Sequence, residues 1–122
     1  MLSTKQEALG IQFKGRKHYH ERNYTAAITE YNKALELRDV PFTIQVRILD
    51  DRAAAWERIG GTVNLELALL DARVMTQLSK DQADGYLRAG KILQLLDEDK
   101  SALDVLEYGI KQVKPGSPQS EV

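Results

Sequence analysis

Residues 15–34 decide the fold, because a later stretch of the chain repeats their spacing. The first stretch reads GRKHYHERNYTAAITEYNKA, and residues 90–109 read GKILQLLDEDKSALDVLEYG. Counted from the opening glycine, matching residues recur at offsets 12, 16 and 19 in both stretches. These are Ala27, Tyr31 and Ala34 in the first, and Ala102, Leu106 and Gly109 in the second. Spacings of three and four mark one face of an α-helix, so the chain predicts two similar helix pairs.

A third, related pair lies between these two. It starts at Ala53 and continues through Ala68, Ala72 and Met75, with three additional residues that we place in an enlarged turn at 60–64. The whole chain then reads as six antiparallel helices joined by short turns. We also expect a capping box at the start of the fifth helix, because Ser79 and Gln82 have the required spacing.

The composition agrees with one helical domain. The chain has 122 residues, and 16 Leu and 12 Ala outnumber 7 Val and 7 Ile, which favours helix. The net charge of −1 argues against a strongly basic nucleic-acid wrapper. The absence of cysteine excludes a disulfide scaffold and a thiolate metal site, and it suits a reducing compartment. No apolar run approaches the ~20 residues of a membrane span.

Residues suited to catalysis are scarce, so we expect no enzyme, no metal site and no cofactor. His18 and His20 are the only histidines, and on a helix they point to different faces and cannot chelate one metal ion. The adjacent pair Asp50 and Asp51 has no histidine or nucleophile beside it in the sequence. The run 14–20 is basic for one turn only, which makes direct contact with nucleic acid an unfavoured alternative.

Met75 and Gly109, at equivalent positions of the second and third pairs, are 34 residues apart. This spacing, with small residues where two helices would cross, resembles the tetratricopeptide repeat. The resemblance implies an all-α fold, an α-α superhelix of three helix-turn-helix pairs. It places the domain at 1–114, with repeats at about 8–41, 42–81 and 82–114, and leaves residues 115–122 as a polar linker. The crossings would be made by eight small residues: Gly15, Ala27, Ala34, Ala53, Ala68, Gly90, Ala102 and Gly109. The last helix would keep an unfinished apolar edge, formed by Leu103, Leu106, Ile110 and Val113.

The same resemblance implies that the first helix of each pair lines a concave groove that binds a protein or peptide. The groove residues that we predict to contact the partner are Gln12, Arg16, Tyr19, His20, Arg47, Asp51, Asp84, Arg88 and Lys91. Asp50, Ala54, Glu57 and Leu87 would lie on the same surface. We expect the four cationic residues to meet acidic groups of the partner. Asp51 and Asp84 would either meet basic groups or hold the arginines in place.

One alternative is the co-chaperone type of tetratricopeptide domain, which binds the C-terminal carboxylate of a peptide with two lysines, two asparagines and an arginine. Those five positions fall on Gln12, Arg16, Asp51, Asp84 and Arg88, and only Arg88 matches. Two aspartates in this set would repel a carboxylate. The sequence therefore disfavours this alternative.

The third repeat shows a finer similarity, over residues 86–95 and 107–111. It resembles the N-terminal repeats of fungal F-box proteins, which precede an F-box and leucine-rich repeats. That family provides substrate receptors of SCF-type ubiquitin ligases, and some members are tethered by these repeats to the replication machinery and chromatin. The resemblance implies further domains downstream in the same chain, and a location in the nucleus, the cytoplasm or both.

Overall fold

The computed structural model describes residues 1–113, and these residues form six α-helices with no β-strand among them. The helices are α1 (Thr4–His20), α2 (Tyr24–Leu35), α3 (Phe42–Ile59), α4 (Thr62–Leu78), α5 (Asp84–Leu95) and α6 (Asp99–Gln112). The all-α prediction is confirmed. The predicted linker at 115–122 lies outside the described residues.

Each helix packs against the next one in the chain, and each pair packs against the following pair. In addition, α1 contacts α3 and α3 contacts α5, so the first helices of the three pairs lie side by side. We call the surface formed by α1, α3 and α5 the inner face. This arrangement is the helical repeat superhelix that the resemblance to the tetratricopeptide repeat implied.

Small residues occupy the helix crossings, and all eight of the predicted ones are buried. The repeat equivalence extends to their contacts. A Cβ added at Gly15 would lie 2.7 Å from Cδ1 of Tyr31, and one added at Gly90 would lie 2.8 Å from Cγ of Leu106. Tyr31 and Leu106 stand at the same offset from these glycines, so the first and third pairs cross in the same way.

The core divides into clusters that follow the repeats. One cluster joins the first pair to α3 and includes Ile28, Tyr31 and Ile48. A second joins the second and third pairs and includes Leu69 and Ile92. The half-buried Trp56 of α3 packs against both clusters. The second repeat therefore connects the two ends of the domain through its own core.

Arg52 joins α3 to α4 through a buried ion pair and to α2 through a hydrogen bond. Arg52 donates from Nε and Nη2 to the two carboxylate oxygens of Asp71 in α4, at 2.9 and 2.5 Å. Its Nη1 donates to Oδ1 of Asn32 in α2, at 2.9 Å. Burial raises the pKa of Asp71, and the hydrogen bonds from Arg52 oppose this rise. Three helices are thus tied together by one guanidinium group.

The turn of the second pair is shorter than predicted. Only Gly60 and Gly61 separate α3 from α4, with φ of 78° and 87°, whereas three residues separate the helices of the other two pairs. Glycine enters the left-handed region without a Cβ clash, so two residues suffice to reverse the chain. The additional residues lengthen α4 instead, and its crossing residue Ala68 lies six residues into the helix.

The capping box predicted for the fifth helix is wrong. Ser79 ends α4, and α5 begins at Asp84, directly after Ala83. A capping box is present at the start of α1, where Ser3 Oγ accepts from the backbone N–H of Gln6 at 3.1 Å. The side chain of Gln6 accepts in return from the Ser3 N–H at 3.0 Å. The same spacing of a serine and a glutamine therefore forms a capping box at α1 and not at α5.

The apolar edge of the last helix is only partly open. Leu106 packs against Gly90 and Val113 is half-buried, but Leu103 and Ile110 are 56% and 77% exposed. Leu69 is the residue of the second repeat that is equivalent to Leu103, and it is buried against the helix that follows α4. Two of the four predicted residues therefore form an uncovered apolar strip.

Enlarging a crossing alanine tests the repeat alignment. Ala27→Leu and Ala102→Leu should each lower the free energy of unfolding by about 1–3 kcal/mol, because both alanines are almost fully buried and cannot accept more atoms without strain. Urea unfolding followed by circular dichroism measures the change. Ala26→Leu, at the half-buried neighbouring position, is the matched control and should have a smaller effect. Equal stabilities for all three variants would contradict the alignment.

Candidate protein-binding site

Two open pockets lie on the inner face, one between each pair of neighbouring first helices. The α1–α3 pocket has a volume of about 260 Å³ and is lined by Arg16, Tyr19, His20, Tyr31, Asp51 and Ala54. The α3–α5 pocket has a volume of about 270 Å³ and is lined by Asp50, Asp84, Leu87, Arg88 and Lys91. Asp51 and Ala54, which line the first pocket, occupy the same repeat positions as Arg88 and Lys91, which line the second.

Most of the predicted site residues come together in these pockets. Four line the α1–α3 pocket and three line the α3–α5 pocket: Arg16, Tyr19, His20 and Asp51 in the first, and Asp84, Arg88 and Lys91 in the second. Gln12 is buried and lines neither pocket. Arg47 is exposed on α3 and also lies outside both linings. That these residues contact a partner stays a prediction.

Asp51 binds two of the predicted residues of α1. The Arg16 guanidinium donates from Nε to Oδ2 at 2.8 Å, and Gln12 donates from Nε2 to the same oxygen at 2.9 Å. The hydrogen bond to Asp51 raises the pKa of Arg16 further above its usual range. The Asp51 side chain is 18% exposed, against 52% for Arg16. Asp51 thus holds an arginine, which is one of the two roles that the sequence left open for it.

The cations of α5 are also paired within the chain. Arg88 donates from Nε to Asp50 Oδ1 at 2.8 Å and from Nη1 to Glu57 Oε2 at 3.0 Å. Lys91 Nζ lies 2.9 Å from the other oxygen of Glu57. Burial lowers the pKa of Arg88, but the hydrogen bonds to Asp50 and Glu57 outweigh this and raise it. The carboxylates of α3 therefore hold cations from both neighbouring first helices.

Sequence reasoning missed one residue of the α1–α3 pocket. Tyr31 belongs to α2, a second helix of a pair, yet its ring passes over Gly15 and reaches the inner face. Burial raises the pKa of its hydroxyl group. The signal was present in the sequence, because an aromatic residue opposite a crossing glycine can extend past the glycine to the far side of the helix.

Tyr19 and His20 form an aromatic rim of the same pocket, and Tyr19 also contacts Tyr24 outside the lining. The ring centroid of Tyr19 lies 5.3 Å from that of Tyr24 and 5.9 Å from that of His20, in edge-to-face arrangements. The guanidinium carbon of Arg58 stands 5.9 Å from the centre of the Tyr24 ring. Rings in such contacts lose part of their freedom to move, so this rim is preorganised.

The described residues contain no group of three or more histidine and acidic side chains that could hold a metal ion. Within residues 1–113, no helix is both long and apolar enough to cross a membrane.

A solved structure has the same architecture over almost the whole chain. It is the first tetratricopeptide domain of Spaghetti (RPAP3), bound to the HSP90 peptide SRMEEVD. The TM-score is 0.74 at 22% identity, and the match covers 96% of this chain and 89% of the other. With three helix pairs, buried crossings at the repeat positions and this overlap, the chain has the fold of a tetratricopeptide-repeat domain.

Two curated fungal proteins are similar in sequence. The F-box/TPR repeat protein pof3 of Schizosaccharomyces pombe is 32% identical over 108 residues, which is 88% of this chain and 18% of that protein. Protein DIA2 of Eremothecium gossypii is 43% identical over 65 residues, which is 53% of this chain and 9% of that protein. No protein-family model matches the chain. The similarity to a fungal F-box protein that the third repeat predicted is confirmed, and the chain spans less than a fifth of either relative.

Proposed function

We propose that this chain is a protein-interaction module whose inner face binds an extended segment of a partner protein. The observation that carries the proposal is the pair of neighbouring pockets, each lined by residues of two successive first helices. Two such pockets side by side suit a segment that runs across α1, α3 and α5 and places side chains into both. The role is one of binding and not of catalysis. The structural neighbour that holds a peptide supports this class of ligand.

We infer further that the module belongs to a larger F-box protein of an SCF ubiquitin ligase, and that it tethers that protein to complexes such as those of replication and chromatin. The similarity to pof3, over 88% of this chain, supports the F-box part of the inference. The tethering part rests on the family resemblance of the third repeat. It implies a location in the nucleus, the cytoplasm or both. Purification of the full-length gene product tests the assignment to an SCF ubiquitin ligase, because a cullin and its adaptor should copurify.

A co-chaperone role is the second candidate, and the neighbour bound to an HSP90 peptide favours it. The charges of the inner face disfavour a co-chaperone role. Arg16 and Arg88 are already paired with carboxylates of α3, and Asp84 lines the pocket where a peptide carboxylate would need a cation. We therefore place this role behind a general interaction module.

Filling the α1–α3 pocket should abolish partner binding without unfolding the domain. The substitution is Ala54→Lys, because the equivalent positions in the first and third repeats carry Arg16 and Lys91, so the helix accepts a long cation there. We expect a loss of at least about tenfold in the partner captured from cell extract, as for other central interface positions. Quantitative mass spectrometry of the captured proteins measures it.

The matched control is Gln77→Lys, which adds the same charge at an exposed position of α4. It should capture the partner as the unchanged domain does, and circular dichroism should show equal helicity for both variants. If Ala54→Lys captures the same proteins in the same amounts, the binding surface lies elsewhere on the domain.

A further inference from the structure

We infer that the inner face recognises its partner segment through two uncharged apolar side chains, one in each pocket, and not through an acidic tail. The occupant is an extended segment of another protein with an aromatic or aliphatic residue for the α1–α3 pocket and an aliphatic residue for the α3–α5 pocket. This inference rests on the proposed function, since it concerns the same surface.

The cations of the inner face are already paired within the chain. Three cations, Arg16, Arg88 and Lys91, each contact a carboxylate of α3 within 3.0 Å. The three carboxylates that hold them are Asp50, Asp51 and Glu57. Arg16 and Lys91 are 52% and 60% exposed, so a partner carboxylate can approach them, but it would compete with the carboxylates of α3 for a charge that is already balanced. Separating such a pair is unfavourable, so an acidic partner gains little from these cations.

The wall of the α1–α3 pocket is largely aromatic. Three rings line it, those of Tyr19, His20 and Tyr31, and Ala54 stands among them. Alanine at this position is what leaves the space open, because the equivalent positions carry Arg16 and Lys91. A small residue surrounded by rings forms a recess that accepts an aromatic or aliphatic side chain.

The α3–α5 pocket is lined by Leu87, which is 56% exposed. Its equivalent in the first repeat is Gln12, a polar residue bonded to Asp51. In the third repeat an uncovered leucine occupies this place, beside cations that Asp50 and Glu57 have already neutralised. Exposed apolar surface between neutralised charges favours an aliphatic side chain over a charged one.

The repeat also sets the spacing of the two anchors. Neighbouring packed helices lie about 8–10 Å apart, and an extended chain advances about 3.3 Å per residue. One step from pocket to pocket therefore corresponds to about three residues of the bound segment. The structure points to a motif with two apolar residues about three positions apart.

The experiment selects peptides from a random twelve-residue library, displayed with free C-termini, on the immobilised domain. The selected peptides should carry two apolar residues about three positions apart, with no preference for a terminal Asp or Glu. Fluorescence anisotropy then gives their Kd, and the peptide SRMEEVD, which the structural neighbour binds, is the acidic probe. We expect SRMEEVD to bind at least about tenfold more weakly than the selected peptides. The Kd of the selected peptides should change by less than about threefold between low and high salt, because screening acts on charges.

Two variants, one in each pocket, test whether both pockets contribute to peptide binding. Ala54→Lys should weaken the selected peptides by about tenfold or more, and so should Leu87→Gln, which introduces the residue of the first repeat at that position. The control Gln77→Lys should leave the Kd within about twofold. Circular dichroism verifies that all three variants keep the helicity of the unchanged domain.

The outcomes separate this inference from the proposed function. Selection of peptides that end in acidic residues, or binding of SRMEEVD as tight as that of the selected peptides, overturns the inference and leaves the inner face as a binding site. If the library yields no binding peptide, or if neither pocket variant weakens the peptides that it yields, the inference and the proposed function both fail.

Discussion

Replacement of Arg52 by methionine should lower the free energy of unfolding by about 3–5 kcal/mol, which is the cost of leaving a buried charge without its partner. The Asp71 carboxylate is only 4% exposed and receives two hydrogen bonds from Arg52. Methionine keeps the aliphatic length of the side chain but removes both donors. It also removes the hydrogen bond to Asn32, so the contact between α2 and α3 weakens as well.

Urea unfolding at neutral pH measures this loss, and two further variants show its cause. Arg52→Met combined with Asp71→Leu should recover most of the stability, since no unpaired charge is then left in the core. Lys33→Met removes the exposed ion pair with Glu30 and should cost less than about 1 kcal/mol. Equal losses for Arg52→Met and Lys33→Met would show that the buried pair contributes no more than a surface pair.

The pH dependence of the Arg52→Met variant follows from the same charge. Burial raises the pKa of Asp71, and in the variant the opposing hydrogen bonds from Arg52 are gone. The folded state then binds a proton more tightly than the unfolded state. The penalty is present in full above the raised pKa and decreases as the pH falls through it. The difference in stability between the variant and the unchanged domain should therefore shrink on acidification.

The architecture could be predicted from the sequence because helix crossings impose a steric condition on single positions. At Gly15, Ala27 and Ala34 a larger side chain would separate the two helices, so these offsets recur wherever the crossing recurs. The turn of the second pair could not be predicted in this way. Its length depends on the φ angles of Gly60 and Gly61, and a count of residues cannot distinguish a long turn from a long helix.

The candidate site could be predicted as a set of residues but not as a network. The helical period places Asp51 and Arg88 on the inner face, since both lie on first helices at the same repeat position. Which carboxylate meets which cation depends on how far α1 and α5 are shifted along α3. Asp51 therefore pairs with Arg16, while Asp50 and Glu57 pair with Arg88. The bonded residues are 31 to 39 positions apart in the sequence, so these hydrogen bonds leave no local signal in it.

Replacement of Gly15 by alanine should lower the free energy of unfolding by about 2–3 kcal/mol, although alanine is the better helix former. The new methyl group would lie 2.7 and 2.9 Å from ring carbons Cδ1 and Cζ of Tyr31. That ring is almost fully buried and cannot move away without moving α2 away from α1.

Gly10→Ala is the control in the same helix, because nothing lies within 4 Å of the methyl group there. It should raise the stability by about 0.5–1 kcal/mol, through the lower conformational entropy of the unfolded chain. Thermal and urea unfolding of both variants give the two values. A loss of stability for Gly15→Ala together with a gain for Gly10→Ala would place the crossing of α1 and α2 at Gly15. A gain in stability for both variants would mean that the helices do not meet there.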